Sequence, residues 1–242
     1  MSTIAVAIVC KTPRPGQSKT RLSPPLRPDE CAAISACFIQ DLGDTIAELM
    51  ADGDVTGYAL YTPIGSEATL RKLLPQKFLL APQCDGDFGV RLLHGIRDLL
   101  EAGHSAAILV NSDSPTLPRP ILRAAVDALL QGDAVVLGPA LDGGYTLIGL
   151  SKAHSRLFED IPWSTDAVYR LTQDRAHEIA LPVVNVPGWY DVDDETSLRM
   201  LEDEVGGRPP AFASTPGAEA PATRRFLKAR AASPTQPATI AV

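Results

Sequence analysis

The feature that most limits how this chain can fold is a regular alternation of short apolar runs with helical stretches. The first run, TIAVAIVC, is almost wholly apolar, which is typical of a strand buried on both faces of a sheet. Six more runs follow: VTGYALYT, KFLLAPQ, AAILVNSD, DAVVLGPA, GYTLIGL and ALPVVNV. Stretches with helical spacing, such as FGVRLLHGIRDLLEAG, separate most of them. The alternation predicts an α/β fold with a mostly parallel sheet flanked by helices.

The composition changes near residue 206, which divides the chain into two predicted parts. The whole chain has 242 residues and is 45% hydrophobic, so residues 1–205 are expected to form one globular domain. Residues 206–242 are rich in Pro, Ala, Ser and Thr and have few core-forming side chains. We predict a disordered tail there. A helical or partner-binding patch at RRFLKAR is the alternative.

Charge and cysteine usage exclude several classes of function. The formal net charge is -7, which argues against general binding to nucleic acid. The four cysteines form no C-x-x-C pair and no cluster with zinc spacing, so we expect reduced thiols in a cytoplasmic protein. The first apolar run is too short to span a membrane and lacks the basic flank of a signal peptide. We therefore expect no membrane partner.

A basic loop, KTPRPGQSKTRL at residues 11–22, follows the first predicted strand directly. In parallel sheets, ligands bind beyond the carboxyl ends of the strands, so the loop lies at the expected binding edge. Lysine and arginine there suit a polyphosphate, since each cation offsets phosphate charge. The loop is neither a Walker A motif nor a dinucleotide fingerprint. A merely solvated cationic loop is the alternative.

Acidic residues follow two later strands. In ILVNSDSPTLP, Asp113 stands at a strand end, where it suits Mg²⁺, an ion held by one or two carboxylates plus substrate phosphates. Asp113 or Ser114 could instead cap the next helix. In GWYDVDDETSLRML, Asp194 fits the cap of a final helix, which leaves Asp191 or Asp193 as a second metal ligand.

Two glycine-bearing stretches complete the pattern. QCDGDFGVRL turns from a strand into a helix, whose amino end can accept an anion or a base edge. GPALDGGYTLIGL is typical of a turn between two strands, and an ordinary hairpin would explain it equally well. The four histidines are scattered, which argues against a histidine-based triad or zinc site.

The order KTPRPGQSKTRL, GDFGVRL, NSDSPTLP, GPALDGGYTLIGL, IPWST and DVDDETSL resembles a bacterial family, over roughly residues 3–204. Its members are named radical-SAM/selenodomain-associated transferases, or glycosyltransferases of the arsenosugar-biosynthesis type. They belong to the nucleotide-diphospho-sugar transferase superfamily, which has the GT-A fold. More distantly, the pattern is similar to 2-phospholactate guanylyltransferases and molybdenum-cofactor guanylyl- or cytidylyltransferases. Two motifs of related enzymes are missing: the GGxGxRxG loop of sugar nucleotidyltransferases, and the glycosyltransferase-type D-x-D directly after the central strand.

The resemblance implies roles for individual residues. A Mg²⁺ or Mn²⁺ ion would be bound by Asp113 and Asp193. Phosphates would contact Lys11, Lys19 and Arg21, which with Asp113 form the expected catalytic set. The residues expected to recognise the base are Gln83, Gly86, Asp87 and Gly89. Those expected to face the acceptor are Asp142, Gly143, Gly144, Tyr145, Trp163, Ser164 and Thr165.

The residues and the resemblance together predict a Mg²⁺-dependent transferase that uses a nucleotide donor. Nucleotidyl transfer from an NTP to a small phosphorylated acceptor comes first, since several cations on one loop suit a triphosphate and a departing pyrophosphate. Glycosyl transfer from a nucleotide-sugar to a small acceptor is the alternative, and the family's customary name favours it. A nucleotide-binding protein without turnover is a second alternative. The oligomeric state stays open, with a homodimer among the options.

Overall fold

Seven strands, each overlapping one of the seven apolar runs, form a single sheet in the computed structural model of the chain. The structure describes residues 3–232. The strands are β1 (Ile4–Lys11), β2 (Val55–Thr62), β3 (Leu79–Pro82), β4 (Ala106–Asn111), β5 (Val135–Pro139), β6 (Tyr145–Leu150) and β7 (Val183–Asn185). The helices are α1 (Pro28–Met50), α2 (Glu67–Leu70), α3 (Phe88–Glu101), α4 (Arg119–Gln131), α5 (Val168–Glu178), α6 (Glu195–Val205) and α7 (Pro221–Ala232). Short 3₁₀ helices lie at Thr20–Leu22 and Ser155–Phe158.

The strands lie in the order β3-β2-β1-β4-β6-β5-β7. β1 pairs in parallel with β2 and β4, and β2 with β3, whereas β6 is antiparallel to both β4 and β5. The mostly parallel α/β prediction is confirmed, as is the turn between two strands at GPALDGGYTLIGL. β1 and β4 are neighbours in register, with Val9 opposite Asn111, so the loops that follow them meet at one edge of the sheet.

Helices cover both faces of the sheet, and β1 contributes to both layers of the core. Val6 and Ile8 pack in the cluster that includes side chains of α1, α4 and α6, while Ala5 and Ala7 pack in the cluster that includes α3. The continuous apolar run is therefore explained by burial on both faces. All four cysteines are free thiols, as expected. Between residues 3 and 232, no helix has both the length and the apolar character that crossing a membrane requires.

In the described part of the C-terminal segment, the structure agrees with the alternative of a helical patch at RRFLKAR and differs from the predicted disordered tail, since α7 spans Pro221–Ala232. α7 packs along α1 and buries Ala222, Thr223 and Leu227. The two oxygens of Asp41 on α1 accept hydrogen bonds from the amides of Ala222 and Thr223, each at 2.8 Å. Local composition could not reveal this ordering, because the stabilising carboxylate lies about 180 residues earlier. Residues 233–242 of the predicted tail lie outside the described residues, and the domain boundary at residue 205 stays a prediction.

We expect Asp41→Ala to lower the free energy of unfolding by about 1–2 kcal/mol, because the first turn of α7 loses both acceptors. Burial raises the pKa of Asp41, an effect that the hydrogen bonds from Thr223 and Ala222 oppose. Urea unfolding would measure the loss. Asp44→Ala, at an exposed position on the same helix, is the matched control, and equal losses in the two variants would contradict the assignment.

Candidate functional site

The basic loop closes tightly at the end of β1. The amide of Arg14 donates to Ser18 Oγ at 3.0 Å, and the amide of Ser18 donates to the Arg14 carbonyl at 3.2 Å. Gly16 and Lys19 both adopt positive φ, at 71° and 48°, and Lys19 leads into the short 3₁₀ helix. This path turns the Lys19 side chain back toward the carboxyl ends of the strands.

Lys19 lies between the two carboxylates predicted to hold a metal. Its Nζ is 2.8 Å from Asp113 Oδ1 and 2.7 Å from Asp193 Oδ1, and it donates to the Val192 carbonyl at 2.7 Å. Burial alone would lower the pKa of Lys19, but the carboxylates of Asp113 and Asp193 raise it above its usual value. Since an ammonium group has three N–H donors, none remains for a phosphate. In this arrangement Lys19 joins two acids, which differs from its expected role as a phosphate contact.

Asp113 is fixed by the segment between β4 and α4. Its carboxylate accepts from Ser112 Oγ at 3.0 Å, and its carbonyl accepts from the amide of Val192 at 2.9 Å. Helix α4 begins at Arg119 with Pro118 as its N-cap, so the alternative that Asp113 or Ser114 caps this helix is wrong. The contact with Val192 explains how Asp113 and Asp193 come together although they are far apart in the chain.

The three aspartates of GWYDVDDETSLRML have different surroundings in the structure. Asp194 caps α6 by accepting from the amide of Ser197 at 2.8 Å, as expected. Asp193 pairs with Lys19. Burial first, and then the charges of Asp142, Asp193 and Asp113, raise the pKa of Asp191 to about 7. The sequence suggested Asp191 only as an alternative to Asp193, whereas the structure brings both to one site.

The donor set fits a divalent cation in chemistry, although no ready-made metal cluster is formed. Within residues 3–232, no group of three or more His, Cys, Asp or Glu side chains is arranged to hold a metal. The Oδ1 atoms of Asp113 and Asp193 nevertheless converge on one cation, the ammonium group of Lys19. Carboxylate oxygens are the ligands that Mg²⁺ and Mn²⁺ prefer. A divalent ion would therefore need Lys19 to move or to share these oxygens.

Two spaces open at this edge of the sheet and meet at the acids. The larger, which we term the aromatic cavity, has a volume of about 500 Å³ and is walled by Phe88, Tyr145 and Trp163. The smaller, the basic cleft, has a volume of about 340 Å³ and is lined by the basic loop. Both spaces are bordered by Arg21, Ser112, Asp113, Ser164 and Asp193.

The predicted phosphate and acceptor residues fall largely in these two spaces. Lys11, Lys19 and Arg21 all line the basic cleft. The predicted acceptor residues that line the aromatic cavity are Asp142, Gly144, Tyr145, Trp163, Ser164 and Thr165. Gly143 does not line it. Instead Gly143 has φ +88°, and a Cβ at this position would overlap the backbone of Asp166.

We expect Gly143→Ala to be destabilised by at least about 2 kcal/mol, since it adds a backbone overlap to the strain of a positive φ. Gly16→Ala is the matched control: Gly16 also has positive φ, at +71°, but has no atom within 4 Å of the added Cβ. The control should lose only about 1 kcal/mol. Thermal unfolding of both variants measures the difference, and equal losses would show that the overlap is relieved without cost.

The residues expected to recognise the base have structural roles in the fold. Gln83 donates from Nε2 to the carbonyls of Cys10 and Leu60, at 3.1 and 2.8 Å, and so braces the ends of β1 and β2. Asp87 caps α3 by accepting from the amide of Val90 at 2.9 Å. A Cβ on Gly89 would come within 2.8 Å of Trp163 Nε1.

None of the four predicted base-recognition residues lines either space. Gly86, with φ 132°, completes the turn before α3. From the same stretch, Phe88 does reach the aromatic cavity, where its ring meets Trp163 edge to face at 5.2 Å. Residue type alone did not distinguish Phe88 from a core phenylalanine.

The fold and the site at the strand ends are typical of the nucleotide-diphospho-sugar transferase class. Comparison with solved structures supports this assignment. A "putative nucleotide-diphospho-sugar transferase" from Desulfovibrio desulfuricans matches with a TM-score of 0.80 and 27% identity over 96% of each chain. CMP:2-keto-3-deoxy-manno-octonic acid synthetase, solved with CTP, matches with a TM-score of 0.55 and 10% identity over 85% of this chain and 99% of that chain. A cytidylyltransferase from Leptospira borgpetersenii matches with a TM-score of 0.52 and 11% identity over 96% of each chain. The last two show the fold alone, and the GT-A prediction is confirmed.

The chain belongs to the family described as "uncharacterized protein conserved in bacteria (DUF2064)", whose model matches residues 45–165. That span includes Asp113 and the aromatic walls Phe88, Tyr145 and Trp163. It excludes the basic loop and Asp193, which the fold brings to the same edge.

One curated protein also matches part of the chain. The "putative protein-lysine deacylase ABHD14B" of Pongo abelii is 30% identical over 141 residues, which cover 48% of this chain and 67% of that protein. Serine nucleophiles that form covalent intermediates are commonly activated by an adjacent base such as histidine. The four histidines lie within the described residues, and none of them lines the aromatic cavity or the basic cleft. The site therefore gives no support for a histidine-assisted nucleophile.

Proposed function

We propose that this protein transfers a group from a nucleotide donor to a small acceptor at the place where the two spaces meet. The observation that carries the proposal is that the basic cleft and the aromatic cavity share Arg21, Asp113 and Asp193. A donor with its phosphates in the cleft and an acceptor in the cavity would meet at these side chains. Positioning of this kind supplies much of the rate in transfer at phosphorus.

The donor's phosphates would be bound by Lys11 and Arg21, which form no salt bridge among the described residues; Arg21 interacts with Asp194 only at longer range. Asp113 and Asp193 would hold a Mg²⁺ or Mn²⁺ ion. When bound, this ion neutralises phosphate charge and acts as a Lewis acid. Arg21 lies on the border of both spaces, where it would stabilise the charge that develops during transfer. These residue roles are the proposals that the resemblance first suggested.

Nucleotidyl transfer is our first candidate. A nucleophilic oxygen of the acceptor would form a bond to the α-phosphorus of an NTP while the bond to pyrophosphate breaks. The acceptor's proton, where it has one, would pass to water or to a carboxylate of the aromatic cavity. The cations of the basic loop suit a triphosphate and the departing pyrophosphate.

Glycosyl transfer is the second candidate, because the engagement of Lys19 weakens the argument that the basic loop prefers a triphosphate. Because Lys19 is engaged by Asp113, Asp193 and Val192, Lys11 and Arg21 are the cleft cations left for phosphate, and two cations suit a nucleoside diphosphate as well as a triphosphate. An acceptor hydroxyl would then attack the anomeric carbon of a nucleotide-sugar, and the nucleoside diphosphate would leave. The radical-SAM-associated family name belongs to this candidate and stays a prediction.

Melting temperatures with Mg²⁺ and each NTP or nucleotide-sugar would test the proposal. Binding to the folded state stabilises it by about 2.7 kcal/mol at a ligand concentration 100 times Kd. The stabilising ligand should lose its effect in Lys11→Ala and Arg21→Ala, but not in Lys77→Ala, an exposed residue ahead of β3. Release of pyrophosphate or of a nucleoside diphosphate then separates the two chemistries. No Mg²⁺-dependent shift with any nucleotide would refute the proposal, and binding without product would favour the non-catalytic alternative.

A further inference from the structure

The aromatic cavity has an unusual balance of charge for a phosphate-handling protein. Among the described residues, five aspartates and a single cation, Arg21, line it. The five acidic residues are Asp113, Asp142, Asp166, Asp191 and Asp193. The basic side chains of the site thus lie mainly on the cleft side, three of the aspartates line the cavity alone, and Asp113 and Asp193 border both spaces.

These carboxylates differ in how far they are already neutralised. Asp113 and Asp193 share the Lys19 ammonium group, and a bound divalent ion would occupy the same two. Asp142 accepts from the amide of Gly144 at 2.8 Å, a neutral partner. No basic side chain of the described chain is paired with Asp166 or Asp191. Because the pKa of Asp191 is raised to about 7, its carboxyl is partly protonated at neutral pH. The negative charge that the cavity keeps when the metal position is filled therefore comes mainly from Asp142 and Asp166.

The side chains that wall the cavity favour a ligand with a flat, apolar body. Phe88 and Trp163 meet edge to face, and aliphatic side chains such as Leu92, Leu109 and Ile148 line the same space. Aromatic rings bind flat apolar bodies and attract cations to their faces. Walls and charge together favour a ring-bearing ligand without negative charge.

We infer that the acceptor of this transferase has an apolar or aromatic body, carries no negative charge, and binds more tightly when it carries an amine. The inference rests on the proposed function, which places the acceptor in this cavity. The phosphorylated acceptor expected from the sequence would lie beside Asp142, Asp166 and Asp191, and within the cavity only Arg21 and a bound divalent ion could offset its charge. Like charges brought together in this way weaken binding and exclude the wrong partner.

A matched series of small probes tests the inference without any nucleotide. The probes are phenethylamine, 2-phenylethanol, 3-phenylpropionate and 2-phenylethyl phosphate, which share a ring and differ in charge. Binding would be followed by the fluorescence of Trp163, with Trp163→Phe as the blank. Phenethylamine should bind at least about tenfold more tightly than either anion, with the alcohol in between.

A charge variant shows whether the aspartates cause this order. Asp166→Asn keeps the size of the side chain and removes one unpaired charge, so the preference for the amine over the anions should fall about threefold. Asp174→Asn is the matched control, because Asp174 lies on α5, is paired with Arg170 and does not line the cavity. The Asp174→Asn variant should bind the four probes in the same order of affinity, and with the same preference for the amine, as the unmodified protein.

Several results would overturn the inference. They are tighter binding of the phosphate or the carboxylate than of the amine, no saturable binding of phenethylamine, or displacement of phenethylamine by a free nucleoside, which would make the cavity the base site. Each of these leaves nucleotide binding in the basic cleft intact. Failure of the proposed function would appear separately, as the absence of any Mg²⁺-dependent nucleotide effect on melting temperature.

Discussion

An Asp113→Asn variant is expected to lose about 10²–10³-fold in kcat/KM while keeping its fold. Asn keeps an oxygen that can accept from Ser112 Oγ and from Lys19 Nζ, so local hydrogen bonding survives. What is lost is the negative charge at the meeting point of the two spaces, where a divalent ion would be held. Steady-state kinetics with the nucleotide identified by the melting series would measure the effect.

Asp133→Asn is the matched control for Asp113→Asn. Asp133 lies just ahead of β5, accepts from Ser151 and Lys152, and lines neither space, so its variant should retain activity. If Asp113→Asn kept kcat/KM within threefold of the unmodified protein at an unchanged melting temperature, the reacting atoms would have to lie elsewhere.

The sheet could be predicted because its signal is local. The apolar run at residues 3–10, which overlaps β1, can be buried only between two layers of helices. GPALDGG at residues 138–144 specifies a turn that makes β6 antiparallel to β5. The order of the strands could not be predicted in this way, since no local signal determines that β6 lies between β4 and β5. The sequence offered a helix at RRFLKAR only as an alternative, and its packing on α1 could not be predicted for a similar reason, because it depends on Asp41.

The site was predictable to the extent that topology determines it. Asp113 follows a central strand, so its place at the binding edge follows from the fold class alone. Gln83 and Asp87 were expected to recognise the base, yet the same residue types also brace strand ends and cap helices, and here they do both. Asp191 and Phe88 were undervalued, because their approach to the cavity depends on how distant segments pack.

Lys19 shows most clearly what charge alone cannot reveal. A lysine on a loop at the end of a strand suggests a phosphate contact, but its partners lie 94 and 174 residues later in the chain. Only the fold brings the ammonium group between Asp113 and Asp193. The ammonium group lies between two carboxylates, where a metal ion would be bound. Competition between Lys19 and the metal ion can therefore be tested.

We expect Lys19→Met to lower the free energy of unfolding without Mg²⁺ by about 1–3 kcal/mol, because two carboxylates lose their shared cation. The estimate is below that for a fully buried pair, since the side chains of Asp113 and Asp193 are 31% and 42% exposed and water can solvate them. Mg²⁺ should then stabilise the variant more than the unmodified protein, because the ion no longer competes with an ammonium group. The rise in Tm that Mg²⁺ causes should be larger in the variant than in the unmodified protein, by about 2–4 °C for each kcal/mol of stability that the ion restores.

Lys11→Met is the matched control for Lys19→Met. Lys11 lies at the start of the same loop and carries the same charge, but it is exposed and donates only to the Gln17 carbonyl, at 3.3 Å. Its replacement should change neither the metal-free stability nor the response to Mg²⁺ by a comparable amount. If Mg²⁺ raised the melting temperatures of Lys19→Met and the unmodified protein equally, Lys19 and the ion would not compete for one position. The metal would then have to bind away from the oxygens of Asp113 and Asp193 that face Lys19.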